Sequence, residues 1–216
     1  MPSKVIGIIS YLPDDPEVRE RRFSKLTALV GNCRYLFGLP IHVITQNHTE
    51  SERNALWSIS GVTVSEDLPR LGIVGARNAL REWFLGSGYD CLIMLDDDCE
   101  LKGSIASAKE YLSYIDANEG CFFEFRGTLL KLFAIYRHPF DEVGFDGPSP
   151  EDGEGFEDTV FVKRLEKEFP NLKKVPPRGN LNESSLSSND PDSTWMDGQD
   201  IKRMLDNTRR ICDGMC

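Results

Sequence analysis

The sequence predicts a single-domain α/β protein, a doubly wound mixed sheet flanked by helices, and three observations carry that expectation. Short apolar runs of strand length alternate with amphipathic segments of helical period through the first hundred residues, the pattern of a largely parallel sheet with crossover helices. The 216 residues suffice for one sizeable core, at roughly 100–200 residues per domain. One apolar run, Cys91 to Leu95, leads straight into three carboxylates, Asp96, Asp97 and Asp98, and open α/β sheets bind ligands outside the carboxyl ends of their strands.

Val5-Ile-Gly-Ile-Ile-Ser10 reads as a buried parallel strand. Asp15 is placed to cap a following helix with Pro16 in its first turn. Val18, Leu26, Leu29, Val30, Cys33, Leu36 and Phe37 recur at helical spacing until Gly38-Leu-Pro40 ends the element. Ile41 to Thr45 repeats the strand signal, a polar helix or loop covers 49–58, and Gly61 to Ser65 suits a further strand. Gly72 to Gly86 forms a second long helix, with Ile73, Ala76, Ala79, Leu80, Trp83 and Phe84 on one face. The strand Cys91 to Leu95 follows.

The second half changes character. After a helix near Ser104 to Ile115, the runs Cys121 to Arg126 and Leu129 to Tyr136 are aromatic-rich and suit paired strands. Residues 139–156 are dense in Gly, Pro, Asp and Glu and read as a loop. It ends in Glu157-Asp158, at the front of a helix burying Val160, Phe161, Leu165 and Phe169. From Val175 to Ser193 the chain reads as a mobile loop, before an amphipathic helix from about Trp195 to Arg210. No internal repeat or domain linker interrupts the chain.

Composition narrows the function classes. Against 35 acidic side chains stand 25 basic ones, a formal charge of -10, which disfavours polyanionic partners such as nucleic acid unless a local basic patch forms. The cluster Lys163, Arg164, Lys167, Lys173, Lys174 and Arg178 is read first as a solvated face. No run approaches the ~18 apolar residues of a membrane span, and the short apolar segment after Met1 is not a signal sequence, so a cytoplasmic protein is expected. The six cysteines show no CxxC pair, which opposes a structural zinc site or disulfide scaffold.

Two carboxylates converging from one strand end repel unless a cation lies between them, and hard oxygen ligands suit Mg²⁺ or Mn²⁺ shared with substrate phosphates. Strand alternation predicts that Asp96 and Asp98 point the same way. The plainer alternative is a solvated acidic turn. For Arg77 the choice lies between nucleotide contact and a surface ion pair, and for Ser10 and Tyr11 between ligand contact and an ordinary turn. Arg19 and Arg22 are read as solvated helix residues. Glu157 and Asp158 stand between chemistry and favourable placement at a helix N-terminus, and Trp195 between lid and packing.

In their order these residues resemble the GT-A-type glycosyltransferases, and within them the inverting family 2 enzymes that use nucleotide sugars. The segments involved are the first strand, Gly75-Ala-Arg77-Asn78, Leu95-Asp-Asp-Asp98, Phe140-Asp-Glu-Val-Gly144-Phe-Asp146, Gly155-Phe-Glu157-Asp158 and Arg164-Leu165. The resemblance implies a GT-A-like fold, with a nucleotide-sugar-binding half over 1–100, an acceptor-side half over 101–170, and the loop and helix of 171–216. It implies that Asp98 binds the divalent metal, with Asp96 on metal and ribose or sugar. Substrate contacts are then expected from Ser10, Tyr11, Arg77, Asn78, Asp97 and Trp195.

Glycosyl transfer must neutralise a departing diphosphate and deprotonate an incoming hydroxyl. The resemblance nominates Asp158 as general base, with Glu157 orienting or substituting for it. Mn²⁺ or Mg²⁺ is the implied cofactor, and a nucleotide diphosphate sugar the implied donor. The acceptor is a hydroxyl on a glycan, lipid-linked precursor, small molecule, protein or modified nucleic-acid base. Two departures stand out: the second strand ends Thr45-Gln46-Asn47 where many relatives place an acidic residue, and no late His completes a metal site. Nucleotidyl transfer to a sugar phosphate is one alternative, although Ser10-Tyr-Leu-Pro-Asp14 lacks the expected Gly-rich signature. A noncatalytic sugar-nucleotide-binding module is the other.

Overall fold

A computed structural model describes residues 2–99, 101, 103–117, 122–124, 132–145, 157–170 and 174–175. The expected C-terminal helix, Trp195, Asp146 and Gly155 lie outside the described residues. In chain order the elements are β1 (Lys4–Tyr11), α1 (Pro16–Phe37), β2 (Ile41–Gln46), α2 (Glu50–Trp57), β3 (Val62–Val64), α3 (Gly72–Gly86) and β4 (Cys91–Asp96). Then follow α4 (Ile105–Asp116), β5 (Phe122–Glu124), β6 (Leu132–Tyr136), α5 (Arg137–Glu142), α6 (Glu157–Glu168) and β7 (Lys174–Val175).

The strands form one mixed sheet in the order β3-β2-β1-β4-β6-β5-β7. β1 pairs in parallel with both β2 and β4, while β6 runs antiparallel to β4 and β5. The chain winds outward from β1 to β3 and returns to β4 on the other side of β1. The β1/β4 boundary is therefore a topological switch point, where two carboxyl ends open a crevice.

Alternation along the central strands divides the core into two layers. Ile6, Ile8, Ile41, Val43, Ile93 and Leu95 pack with the buried faces of α1, α2 and α4. Val5, Ile9, Ile44, Leu92 and Met94 pack with α3, Phe140 of α5 and Phe161 of α6. Gly7 is required beneath α3, because a Cβ there would meet the Leu80 and Leu92 side chains at 2.7–2.8 Å. Helix α3 thus lies close on β1, with Arg77 near the strand ends.

Local chemistry explains the element boundaries. Asp15 caps α1, accepting from the Glu17 and Val18 N–H groups at 3.1 and 3.0 Å, and Gly38 closes that helix at φ 66°. The segment 49–58, open between helix and loop in the sequence, is a helix because Thr49 and Glu52 form a reciprocal capping box. Residues 137–142, part of which reads as loop, form α5. Pro139 is tolerated there because first-turn N–H groups have no intrahelical partner. Among the described residues no helix is long and apolar enough to cross a membrane.

Arginines fasten the layers together. The Arg137 guanidinium donates to the carbonyls of Phe84, Leu85, Ser87 and Tyr89 at 2.7–3.1 Å, closing the C-terminus of α3. Arg19 pairs with Glu52 through Nε and Nη2 at 2.8 and 2.6 Å, and its Nη2 also donates to the Asn47 carbonyl at 2.7 Å. Asn47 adopts φ 58°, a left-handed conformation its short amide tolerates, and donates to the Leu12 carbonyl at 2.7 Å. The loops after β1 and β2 are consequently locked to each other.

Two measurements check this scaffold. Arg137→Met strips several helix-end carbonyls of their donor and is expected to lower the unfolding free energy by about 1–3 kcal/mol, read by denaturant titration. Burial by itself would raise the Glu52 pKa, but the Arg19 hydrogen bond and the Thr49 N–H and hydroxyl overcome it and hold the group at about 2. A depressed folded-state pKa stabilises above the unfolded value and is lost as pH falls through the folded one. The stability gap between wild type and Glu52→Gln should therefore shrink as pH drops from about 4.5 towards 2; a pH-independent gap would contradict the assignment.

Candidate functional site

The site forms where β1 and β4 end side by side, with Ile9 opposite Asp96 in the ladder. Strand β4 stops at Asp96, and the Cys99 N–H donates back to the Asp96 carbonyl at 3.1 Å. Asp97 and Asp98 consequently lie in a turn, and the alternation expected to align Asp96 with Asp98 does not extend that far. Cys99 and Leu101, both buried, anchor the chain beyond the turn in the α1 layer.

The first two carboxylates part company. Asp96 continues the side of β4 facing α3 and meets Arg77, whose Nη2 lies 3.1 and 3.4 Å from its two oxygens. Arg77 is 1% exposed, so the pair is a buried one rather than a surface ion pair. Its guanidinium also lies over the Phe145 ring at 5.4 Å. Asp97 turns to the α1 layer. Its Oδ2 accepts from the Ser10 hydroxyl at 2.8 Å and the Tyr11 N–H at 3.2 Å, and its Oδ1 from Arg22 at 2.9 Å. Arg19 and Arg22, expected in solvent, are instead tied to Glu52 and Asp97. Asp98 is half-buried on the turn itself.

Asn78 sits one residue past Arg77 and clasps the segment after α5. Its Nδ2 donates to the Phe145 carbonyl and its Oδ1 accepts the Phe145 N–H, both at 2.9 Å. Arg81, one turn on, donates to the Phe140 carbonyl at 2.6 Å and to that of Asp141. Phe145 then stacks on Phe161 of α6 at 4.2 Å, with Phe133 and Phe140 around them. This aromatic cluster sets the position of α6, whose backbone opens with Glu157 and Asp158. Trp195 lies outside the described residues.

Several neighbours have no motif to announce them. His48 is buried, with Nε2 3.3 Å from the Ser10 hydroxyl and Nδ1 3.0 Å from the Gln46 carbonyl. Desolvation lowers its pKa. The His48 N–H donates to Asp67 at 2.8 Å, and the Gln46 Oε1 accepts from the Leu71 N–H at 2.8 Å. Tyr11 is half-buried with the exposed Arg70 guanidinium 5.0 Å above its ring. Only the position of Gln46 and His48 just past a buried strand end hinted at these contacts.

The donor set can be tested against a divalent cation. Among the described residues no group of three or more His, Cys, Asp or Glu side chains converges as a metal cage. Mg²⁺ and its analogues, when shared with substrate phosphates, need only one or two carboxylates and complete their octahedron from phosphate and water. Hard carboxylate oxygens at Asp98 and Asp96 fit that requirement, whereas a cation relying on protein ligands alone would not be served.

No family model matches the sequence, and comparison with curated proteins gives no match. Solved structures do match. The mannosyltransferase PcManGT from Pyrobaculum calidifontis, in complex with GDP-Man and Mn²⁺, superposes at TM-score 0.59 with 13% identity, over 83% of this chain and 55% of that one. S. aureus TarS 1-349, in complex with UDP-GlcNAc, gives 0.54 with 12% identity, over 76% and 53%. CMP:2-keto-3-deoxy-manno-octonic acid synthetase complexed with CTP gives 0.52 with 9% identity, over 82% and 92%. The chain thus spans about half the length of the PcManGT and TarS chains. At such identities the likeness is one of architecture: the chain has a GT-A-type fold, shared by these glycosyl- and nucleotidyltransferase-like structures.

Proposed function

We propose that the protein is a metal-dependent glycosyltransferase that moves one sugar from a nucleotide diphosphate sugar to an acceptor hydroxyl, with inversion at the anomeric carbon. The observation that carries this reading is the placement of three consecutive carboxylates at the β1/β4 switch point of a GT-A-type sheet. The GDP-Man and Mn²⁺ of PcManGT and the UDP-GlcNAc of TarS support the donor class and the metal.

In this reading Asp98 holds Mn²⁺ or Mg²⁺, with Asp96 as second carboxylate or ribose contact. The cation, when bound, supplies Lewis-acid neutralisation of the departing diphosphate. Arg77 holds the Asp96 carboxylate in one orientation from beneath, and its buried charge adds positive potential under the diphosphate. Ser10, Tyr11 and Arg70 line the end of β1, where the nucleoside lies. Asn78 acts at one remove, by fixing Phe145 and with it α6. Asp158 takes the proton of the acceptor hydroxyl as the new glycosidic bond forms, Glu157 assists, and Trp195 is a further candidate for substrate contact. The donor's leaving oxygen departs on the opposite side of the anomeric carbon.

Nucleotidyl transfer to a sugar phosphate is the second reading, and the match over 92% of the CTP-bound synthetase favours it. The end of β1 and the residues after it oppose it: Ser10-Tyr-Leu-Pro-Asp14 lacks the run of glycines whose bare N–H groups would wrap a triphosphate.

The roles separate experimentally. A thermal-shift screen of nucleotide sugars with and without Mn²⁺ identifies the donor, because a ligand of the native state raises its stability. With that donor, Asp98→Asn should abolish the metal-dependent shift. Asp158→Asn should keep the shift and lose transfer by roughly 10²–10⁴-fold. Wild-type transfer by the Asp158 variant would remove that residue from the reaction.

A further inference from the structure

The middle carboxylate of the triplet is tied down from β1 and α1, away from the Arg77 that holds Asp96. Three donors converge on Asp97 from two elements, Ser10 and Tyr11 at the end of β1 and Arg22 on α1. They fill three of a carboxylate's about four acceptor positions. The side chains of the ion pair are only 17% and 10% exposed. The chain of contacts continues from Ser10 to His48 and the Gln46 carbonyl, so the turn bearing Asp98 is fastened to β1, α1 and β2 together. A two-residue turn on one strand end has few other means of holding a carboxylate still. Ligand geometry at a metal is set by such outer contacts.

We propose that Asp97 is a positioning residue rather than a substrate ligand: braced by Arg22 and Ser10, it fixes the turn so that Asp98 presents its oxygens to the divalent cation in one geometry. The inference rests on the reading of Asp98 as the metal-bearing carboxylate. It assigns Arg22 the same indirect role, since its Nη2 donates to Asp97 from the α1 side.

The test is a Mn²⁺ titration of the full chain followed by electron paramagnetic resonance, with UDP and then GDP as the nucleotide probe. Wild type, Arg22→Met, Arg22→Lys and Asp97→Asn are compared, and thermal unfolding is recorded in parallel. Loss of an outer contact typically weakens metal affinity by roughly 10–100-fold, and that weakening is expected for Arg22→Met and Asp97→Asn. Nucleotide affinity at saturating Mn²⁺ should stay at the wild-type level. Arg22→Lys keeps a cation without the planar fork and should fall between; it also decides the matter should either other variant fail to fold. A purely structural brace would lower the melting temperature and leave Mn²⁺ affinity unchanged, which overturns the proposal. Nucleotide affinity that stays tenfold weaker at saturating Mn²⁺ means that Arg22 or Asp97 touches the nucleotide, which also overturns it. Absence of Mn²⁺-dependent binding of both nucleotides in wild type overturns the donor reading and the brace with it, a failure distinct from the other two.

Discussion

The candidate site depends first on the buried ion pair between Arg77 and Asp96. A guanidinium that is 1% exposed is tolerable only when paired, because removing one partner of a buried pair costs about 3–5 kcal/mol. That requirement makes the position of α3 on the sheet non-negotiable. Gly7 lets the helix approach, Arg137 closes its far end, and Asn78 and Arg81 on its exposed side collect the segment that leads to α6. The ends of β1 and β4 and helix α6 are thereby referenced to one element. Phe145 joins the two, with its ring under Arg77 and stacked on Phe161.

The second constraint is electrostatic. Three adjacent carboxylates would repel each other if they shared one environment, and the fold separates them. Strand alternation sends Asp96 to Arg77 on the α3 layer, and the turn sends Asp97 to Arg22 on the α1 layer. Two of the three charges are thus paired with arginines of the same chain, on opposite faces of the sheet.

Much of this was legible in the sequence, and the limits have physical causes. The β-α-β order, the α3 boundaries, the Asp15 cap and the carboxylates at the end of β4 follow from periodicity and capping chemistry, which are local. The alignment of Asp96 with Asp98 was misjudged because alternation holds only while the strand lasts, and the Cys99 to Asp96 hydrogen bond ends it. Arg19 and Arg22 look solvated in the sequence because their partners, Glu52 and Asp97, lie 33 and 75 positions away. Asn78 shows the same limit: its motif position suggested the nucleotide, and its amide instead holds the backbone of Phe145. Helix α5 escaped notice because Pro139 signals a break except in the first turn, where it sits.

Among the described residues, three of the chain's carboxylates meet at the end of β4, where the proposed reaction places a metal-bound diphosphate. The central claim is transfer of a glycosyl group from such a diphosphate. The most direct measurement is the product released when the protein turns over a nucleotide sugar with Mn²⁺ and an acceptor. The account predicts nucleoside diphosphate, formed only with the metal and lost in Asp98→Asn. Release of pyrophosphate from a nucleoside triphosphate and a sugar phosphate, with no nucleoside diphosphate from any sugar donor, would contradict it.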